Sequence, residues 1–173
     1  MYNINMKEVA SYTVLNSTEY VDIAGIHKIP AKIDTGAYSS AIWASDIKIQ
    51  PDGVLSFILF GPSSPLYSGK RITMSEYTAK RVRSSHGDQQ VRYQVEMDIT
   101  LGGQSFKTVF NLSNRSRNYF PVLIGRLALK NRFLVDASKT AVIREKKPIV
   151  SNLKQELKED PHRFHQKYIE RSK

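Results

Sequence analysis

The segment Ala31-Lys32-Ile33-Asp34-Thr35-Gly36-Ala37 most constrains this chain, because it ends an apolar strand in a tight turn that carries a carboxylate. Each residue type has a physical use there. An aspartate can hold and release the protons needed to activate water. The threonine hydroxyl can bond backbone and fix the loop. Glycine permits close backbone approach and φ values closed to other residues, and a small alanine leaves room beside a bound molecule. An Asp-Thr-Gly triplet alone also makes ordinary turns, so its meaning rests on the rest of the chain.

A second apolar run, Phe120-Pro121-Val122-Leu123-Ile124-Gly125-Arg126, stops at a glycine ahead of Leu127-Ala128-Leu129-Lys130, a short helical stretch with Asn131 near its end. Read by itself it is a buried strand ending at a glycine turn. Around these two segments the pattern is mostly β. Strands are expected over residues 11–14, 20–23, 29–33, 40–49, 54–60, 77–82, 91–100 and 106–112, with 133–136 and 141–144 as a final pair. Turn chemistry separates them, at Pro51-Asp52-Gly53, in the Gly- and Pro-rich loop 61–69, at Ser84-Ser85-His86-Gly87-Asp88 and at Leu101-Gly102-Gly103-Gln104. Many short strands with such turns predict a small barrel. After Pro148 the chain is charged and rich in helix formers, with apolar residues at Leu153, Leu157, Phe164 and Tyr168, so short amphipathic helices are expected.

The Asp34 segment resembles the Asp-Thr-Gly-Ala signature of retropepsin-type aspartic peptidases, and 120–126 resembles their second element. A closer resemblance runs from about Ile29 to Ile143. It is to small bacterial and archaeal retropepsin-like proteins often labelled ATP-dependent zinc proteases. The blocks that carry it are 31–41, Arg81-Val82-Arg83-Ser84-Ser85-His86-Gly87, Arg92-Tyr93, 112–115, 122–129 and Arg132-Phe133-Leu134-Val135-Asp136. The resemblance implies an all-β fold, a retropepsin-like closed β-barrel over residues 1–147 with a short C-terminal helical tail over 148–173. It implies Asp34, Thr35 and Gly36 as catalytic residues, with 120–126 passing behind their loop. Some relatives are associated with a ligase that adds glutamates to a ribosomal protein, which implies removal of such tails.

The chemistry turns on there being one such triplet. Attack of water on a peptide carbonyl in these enzymes uses two carboxylates sharing a proton, and no second Asp-Thr-Gly or Asp-Ser-Gly occurs in the chain. A homodimer is therefore expected, with Asp34 of two copies meeting at a two-fold axis. A monomer would fit instead a catalytically silent module that binds an acidic partner. In retroviral enzymes the residue four after the aspartate is usually acidic and pairs with the arginine of the second element. Here that position is Tyr38, so Arg126 needs another partner or faces an acidic ligand.

Charge points the same way. The net charge is +10, and no acidic residue lies between Asp98 and Asp136 while six basic ones do. Nine basic and five acidic residues from Arg144 onward leave most of the excess on the barrel. Clustered positive potential speeds encounter with acidic partners. The hairpin at residues 84–88 is the candidate flap. Its Arg81, Arg83, Ser85 and His86, with Arg92, Arg126 and Ala37, are the expected substrate-binding residues for an acidic peptide or protein substrate. No recognition helix or aromatic platform supports nucleic acid as a partner.

With 40% hydrophobic and 24% charged residues the chain reads as globular. No cysteine is present, which removes disulfides, thiolate metal sites and a cysteine nucleophile. Four histidines without a His-Glu-x-x-His pattern make no zinc site, and His162 with His165 offers two ligands where a closed site needs four. No metal is expected. A Walker loop is absent, so no ATP or other cofactor is expected either. No window approaches the ~20 apolar residues of a membrane span. The first residues lack a basic start followed by a long apolar run, so a cytoplasmic place is expected unless a signal peptide has been removed.

Overall fold

Alternation of apolar and polar residues between turns builds eleven strands in the computed structural model, which describes residues 12–83, 89–142 and 153–168. They are β1 (Thr13–Asn16), β2 (Thr18–Ile23), β3 (Ile26–Ile33), β4 (Ser40–Ile49), β5 (Leu55–Leu59) and β6 (Arg71–Met74). Then follow β7 (Thr78–Arg83), β8 (Gln89–Leu101), β9 (Gln104–Ser113), β10 (Val122–Ile124) and β11 (Phe133–Asp136). A helix of one turn, α1 (Arg126–Leu129), stands between β10 and β11.

Six strands close the expected barrel, in the order β10-β3-β2-β8-β9-β4, and β10 returns to β4 to complete the ring. β5 and β6 extend the sheet beyond β4, and β7 pairs with β8. Inside lie Ile29, Ile42, Phe57, Phe110, Val122 and Ile124, none of them exposed to solvent. Burying each such side chain contributes about 1.5–3 kcal/mol. Gly102 and Gly103 make the two-residue turn between β8 and β9, both at positive φ, 55° and 78°. Those angles match the twist of a tight hairpin and are closed to most other residues.

Two expectations are corrected. Residues 133–136 do form a strand, but β11 pairs in parallel with β1, Thr13↔Phe133 through Asn16↔Asp136, not with residues near 141. Of the expected strand 141–144, Ala141 and Val142 take no strand form, and the rest lies outside the described residues. β6, in a stretch read as neither strand nor turn, pairs with β5 from Leu55↔Met74 to Ile58↔Arg71.

The chain divides into two compact units, residues 1–142 and 143–173. In the second, α2 (Leu153–Glu159) and α3 (Pro161–Tyr168) are joined through Glu156, whose carboxylate accepts from Lys167 Nζ at 2.9 Å and the Tyr168 hydroxyl at 3.0 Å. Among the described residues no helix is long and apolar enough to cross a membrane.

Candidate active site

β10 runs parallel to β3 with Ile124 beside Ile33. The ladder then takes one more rung, the Asp34 amide donating to the Ile124 carbonyl at 2.9 Å. Past it the chain folds back on the aspartate. Asp34 Oδ1 accepts from the amides of Gly36 at 3.1 Å and Ala37 at 3.2 Å, an Asx turn that fixes the carboxylate. Its other oxygen makes no hydrogen bond among the described residues. Asp34 is half-buried, and Thr35 and Gly36 are exposed. The Thr35 hydroxyl, expected to bond backbone, has no such bond within the described residues.

The second element supports this loop from behind. Gly125 donates its amide to Ser40 Oγ at 3.1 Å, and the first amides of α1, Arg126 and Leu127, donate to the carbonyls of Ala37 at 2.9 Å and Tyr38 at 3.0 Å. These are amides that a helix start leaves without intrahelical partners. Arg126 adds two long bonds, its Nη1 lying 3.4 Å from the carbonyls of Thr35 and of Gly36. The arginine thus finds its partner in the turn's own backbone.

Tyr38 meets the β7–β8 hairpin. Lys80 Nζ lies 4.8 Å from its ring centroid, a cation–π contact. Lys80 is opposite Arg92 in the register, so both belong to the same face of the hairpin. Arg81, one residue on and opposite the exposed Val91, belongs to the other face and is itself exposed. Arg83 is the last residue of β7, paired with Gln89. The turn with Ser85 and His86 lies outside the described residues.

Farther along β8, Gln94 donates to Asn111 Oδ1 at 2.9 Å, and Asn111 Nδ2 donates to Ser39 Oγ at 2.7 Å and the Ser40 carbonyl at 2.9 Å. That chain of bonds links the hairpin strand to the segment following Asp34. The same row on β9 continues to Ser113 and Arg115, both buried. Arg115 was not among the expected site residues. Its Nε donates to the Phe120 carbonyl at 3.1 Å, and it forms no ion pair among the described residues. Burial holds its guanidinium below the usual arginine value; the charge of Arg92 acts the same way, and the Asp34 carboxylate opposes both. The signal in the sequence was the polar residue at every second place, Asn111, Ser113, Arg115, interleaved with the core residues Phe110 and Leu112.

Residues 14–147 match the model of the RimB-like family, described as retropepsin-like aspartic endopeptidase RimB. The chain belongs to this family. A Shewanella pealeana protein named probable alpha-L-glutamate ligase is 32% identical over 129 residues, which is 70% of this chain and 27% of that protein. One of the same name from Parasynechococcus marenigrum is 26% identical over 129 residues, 71% of this chain and 28% of that protein. The chain thus spans about a quarter of the curated relatives it matches. Among solved structures, a Legionella pneumophila protein of unknown function is similar, with a TM-score of 0.56 and 26% identity, covering 74% of this chain and 95% of that one. These matches support the RimB-like retropepsin family but not the label of ATP-dependent zinc protease. Among the described residues no group of three histidine, aspartate or glutamate side chains could hold a metal ion.

Proposed function

We propose that this RimB-like chain is an aspartic peptidase that acts as a homodimer on acidic peptides, glutamate-extended ones included. The observation that carries the reading is the Asp34 carboxylate, held through one oxygen by two amides of its own turn with the other oxygen unbonded among the described residues. A loop braced by Gly125, Arg126 and Leu127 holds that group in place for chemistry.

In the proposed dimer the two Asp34 carboxylates share one proton. The ionised one takes a proton from water as its oxygen attacks the peptide carbonyl, and the protonated one gives its proton to the carbonyl oxygen. Collapse of the tetrahedral diol expels the amine, which takes one proton from the dyad while a diol hydroxyl returns one to it as the new carbonyl forms. A second copy also suits the apolar surface nearby. A groove of about 620 Å3, lined by Tyr38, Leu127, Leu134 and Val135 among others, opens beside Thr35. Val14 and Leu134, neighbours in the β1–β11 register, are both exposed. Apolar patches of this kind favour association.

The acidic substrate rests on the basic face of the hairpin, Lys80 and Arg92, with Arg83, Ser85 and His86 as further proposed contacts and Arg81, on the other face, as a charge that draws the substrate in. It rests also on the similarity of this chain to part of proteins named as glutamate ligases. The test is turnover of glutamate-rich peptides by the purified protein together with its sedimentation. Asp34→Asn should abolish turnover with the circular dichroism spectrum unchanged, and mixed dimers of parent and variant should be inactive. Exhaustive chelation should leave turnover intact, given the donor set described above. Full activity in Asp34→Asn, or zinc-rescued loss on chelation, would sink the mechanism, and a monomer that binds acidic peptides without cutting them would favour the silent module.

A further inference from the structure

β8 and β9 lay a row of polar side chains beside the Asp34 loop. Gln94 and Asn111 are opposite one another and bonded. Two residues beyond each, Arg92 and Ser113 continue the row. Arg115 follows Ser113 after the strand ends. Beneath this row the network is closed, since Asn111 satisfies Gln94, Ser39 and Ser40. Above it, two groups are left over.

The Ser113 hydroxyl is 8% exposed and makes no hydrogen bond among the described residues. Arg115 is 9% exposed, and among the described residues its side chain bonds through Nε alone, to the Phe120 carbonyl. A buried hydroxyl without a partner and a guanidinium in a largely buried residue that forms no ion pair among the described residues are both costly, and proteins seldom keep either without a use. Two arginines grouped with a hydroxyl donor suit one ligand chemistry. A carboxylate accepts two parallel bonds from a guanidinium, and a third from the hydroxyl satisfies its remaining lone pairs.

We infer that Arg115, Arg92 and Ser113 form a pocket that takes the carboxylate of a ligand residue bound beside Asp34, and that Arg115 decides the preference for glutamate or aspartate over their amides. The pocket rests on the reading of an acidic ligand but not on cleavage. Arg115 is here a specificity-determining residue rather than a catalytic one. Binding the carboxylate supplies a direct ion pair where the folded chain offers only the more distant charge of Asp34, so selectivity follows from the cost of leaving that pair unmade. A glutamine at the same place offers an oxygen without the charge and brings an amide that competes with the guanidinium as a donor.

The experiment measures binding of a glutamate-rich peptide and a glutamine-rich peptide of equal length to the full chain carrying Asp34→Asn, followed by fluorescence anisotropy. The glutamate peptide should bind at least tenfold more tightly. Adding Arg115→Gln should erase that preference, Arg115→Lys should restore part of it, and Ser113→Ala should reduce it several-fold. Arg92→Gln, at a half-buried position, tests the same pocket should Arg115→Gln unfold. Equal preference in Arg115→Gln or Arg92→Gln and the unchanged protein, or no preference in any of them, overturns the inference. The two readings separate cleanly. A preference lost with Arg115 in a protein that never cleaves would end the peptidase proposal and keep the pocket. Turnover abolished by Asp34→Asn, with glutamate and glutamine treated alike, would do the reverse.

Discussion

Gly125 passes so close behind Ser39 that a side-chain carbon added to it would lie 2.6 Å from the Ser39 carbonyl carbon. The φ of Gly125, −91°, is open to any residue, so the demand is for space and not for backbone freedom. The neighbour it meets is main chain, which cannot swing aside as a side chain can. Gly125→Ala should therefore push the Asp34 loop away from α1 and cost about 1–3 kcal/mol of stability. Urea unfolding and peptide turnover measure the two effects. A variant with the parent's midpoint and rate would mean that the glycine does not set the position of the loop.

Asn111 is the buried joint between the hairpin strand and the segment after Asp34. Its amide donates to Ser39 and Ser40 and accepts from Gln94. Asn111→Ala should leave these partners unsatisfied, at a cost of about 1–3 kcal/mol. Turnover should fall further than the stability loss alone explains, because Ser39 and Ser40 also adjoin Gly125 and the turn. Parent-like thermal unfolding in Asn111→Ala would show that water replaces the bonds at no cost.

Asp46 gives a pH dependence of known sign. It sits at the bulge of β4 with φ of 47°, and its carboxylate bonds Lys48 and Arg71. The Lys48 bond, then the Arg71 bond, hold its pKa below the ordinary aspartate value of 3.8. A depressed folded-state value stabilises the protein above the unfolded value, and the gain fades as pH falls through the lower folded value. Asp46→Asn keeps a residue tolerant of positive φ. It should lower the urea midpoint modestly at pH 7, and the gap from the parent should shrink as pH drops below 3.8. A gap that is constant with pH would place the effect in the backbone instead.

Turn chemistry made most of the barrel legible. Pro51-Asp52-Gly53 and Leu101-Gly102-Gly103-Gln104 bound strands that the structure contains, and residues 40–49 match β4 from end to end. What alternation could not reveal was pairing between distant segments. β10 lies between β3 and β4, some eighty to ninety residues earlier in the chain, and β11 joins β1 across a still longer span of 120 residues. Nothing local encodes those partners. β6 escaped because its four residues, Arg71-Ile72-Thr73-Met74, bury little. At the site, the Asp34 turn and Gly125 could be read from residue type. Arg115 was missed, since a lone arginine in a Ser-Asn-Arg-Ser stretch looks like an exposed loop unless the alternation from Asn111 is followed past the end of the strand.

The hairpin poses the sharpest test, because two adjacent cations on β7 belong to opposite faces. Lys80 reaches the Tyr38 ring and shares its face with Arg92, whereas Arg81 shares the exposed face with Val91. A cation–π contact is worth about 0.5–1 kcal/mol at an exposed site, enough to bias how closely β7 lies against Tyr38. Lys80→Ala should therefore raise KM for an acidic peptide several-fold, and part of that rise should persist at high salt, where long-range attraction is screened but contacts survive. Arg81→Gln removes the same charge without the Tyr38 contact. Its effect should be on association alone, visible at low ionic strength and gone by about 0.5 M salt, where the screening length falls to a few ångström. The Tyr38→Phe variant should behave as the parent, since the ring and not the hydroxyl meets Lys80, while Tyr38→Ala should mimic Lys80→Ala. If Lys80→Ala and Arg81→Gln proved indistinguishable at every salt concentration, the hairpin would act only as a diffuse positive field, and its closeness to Tyr38 would have no part in holding substrate.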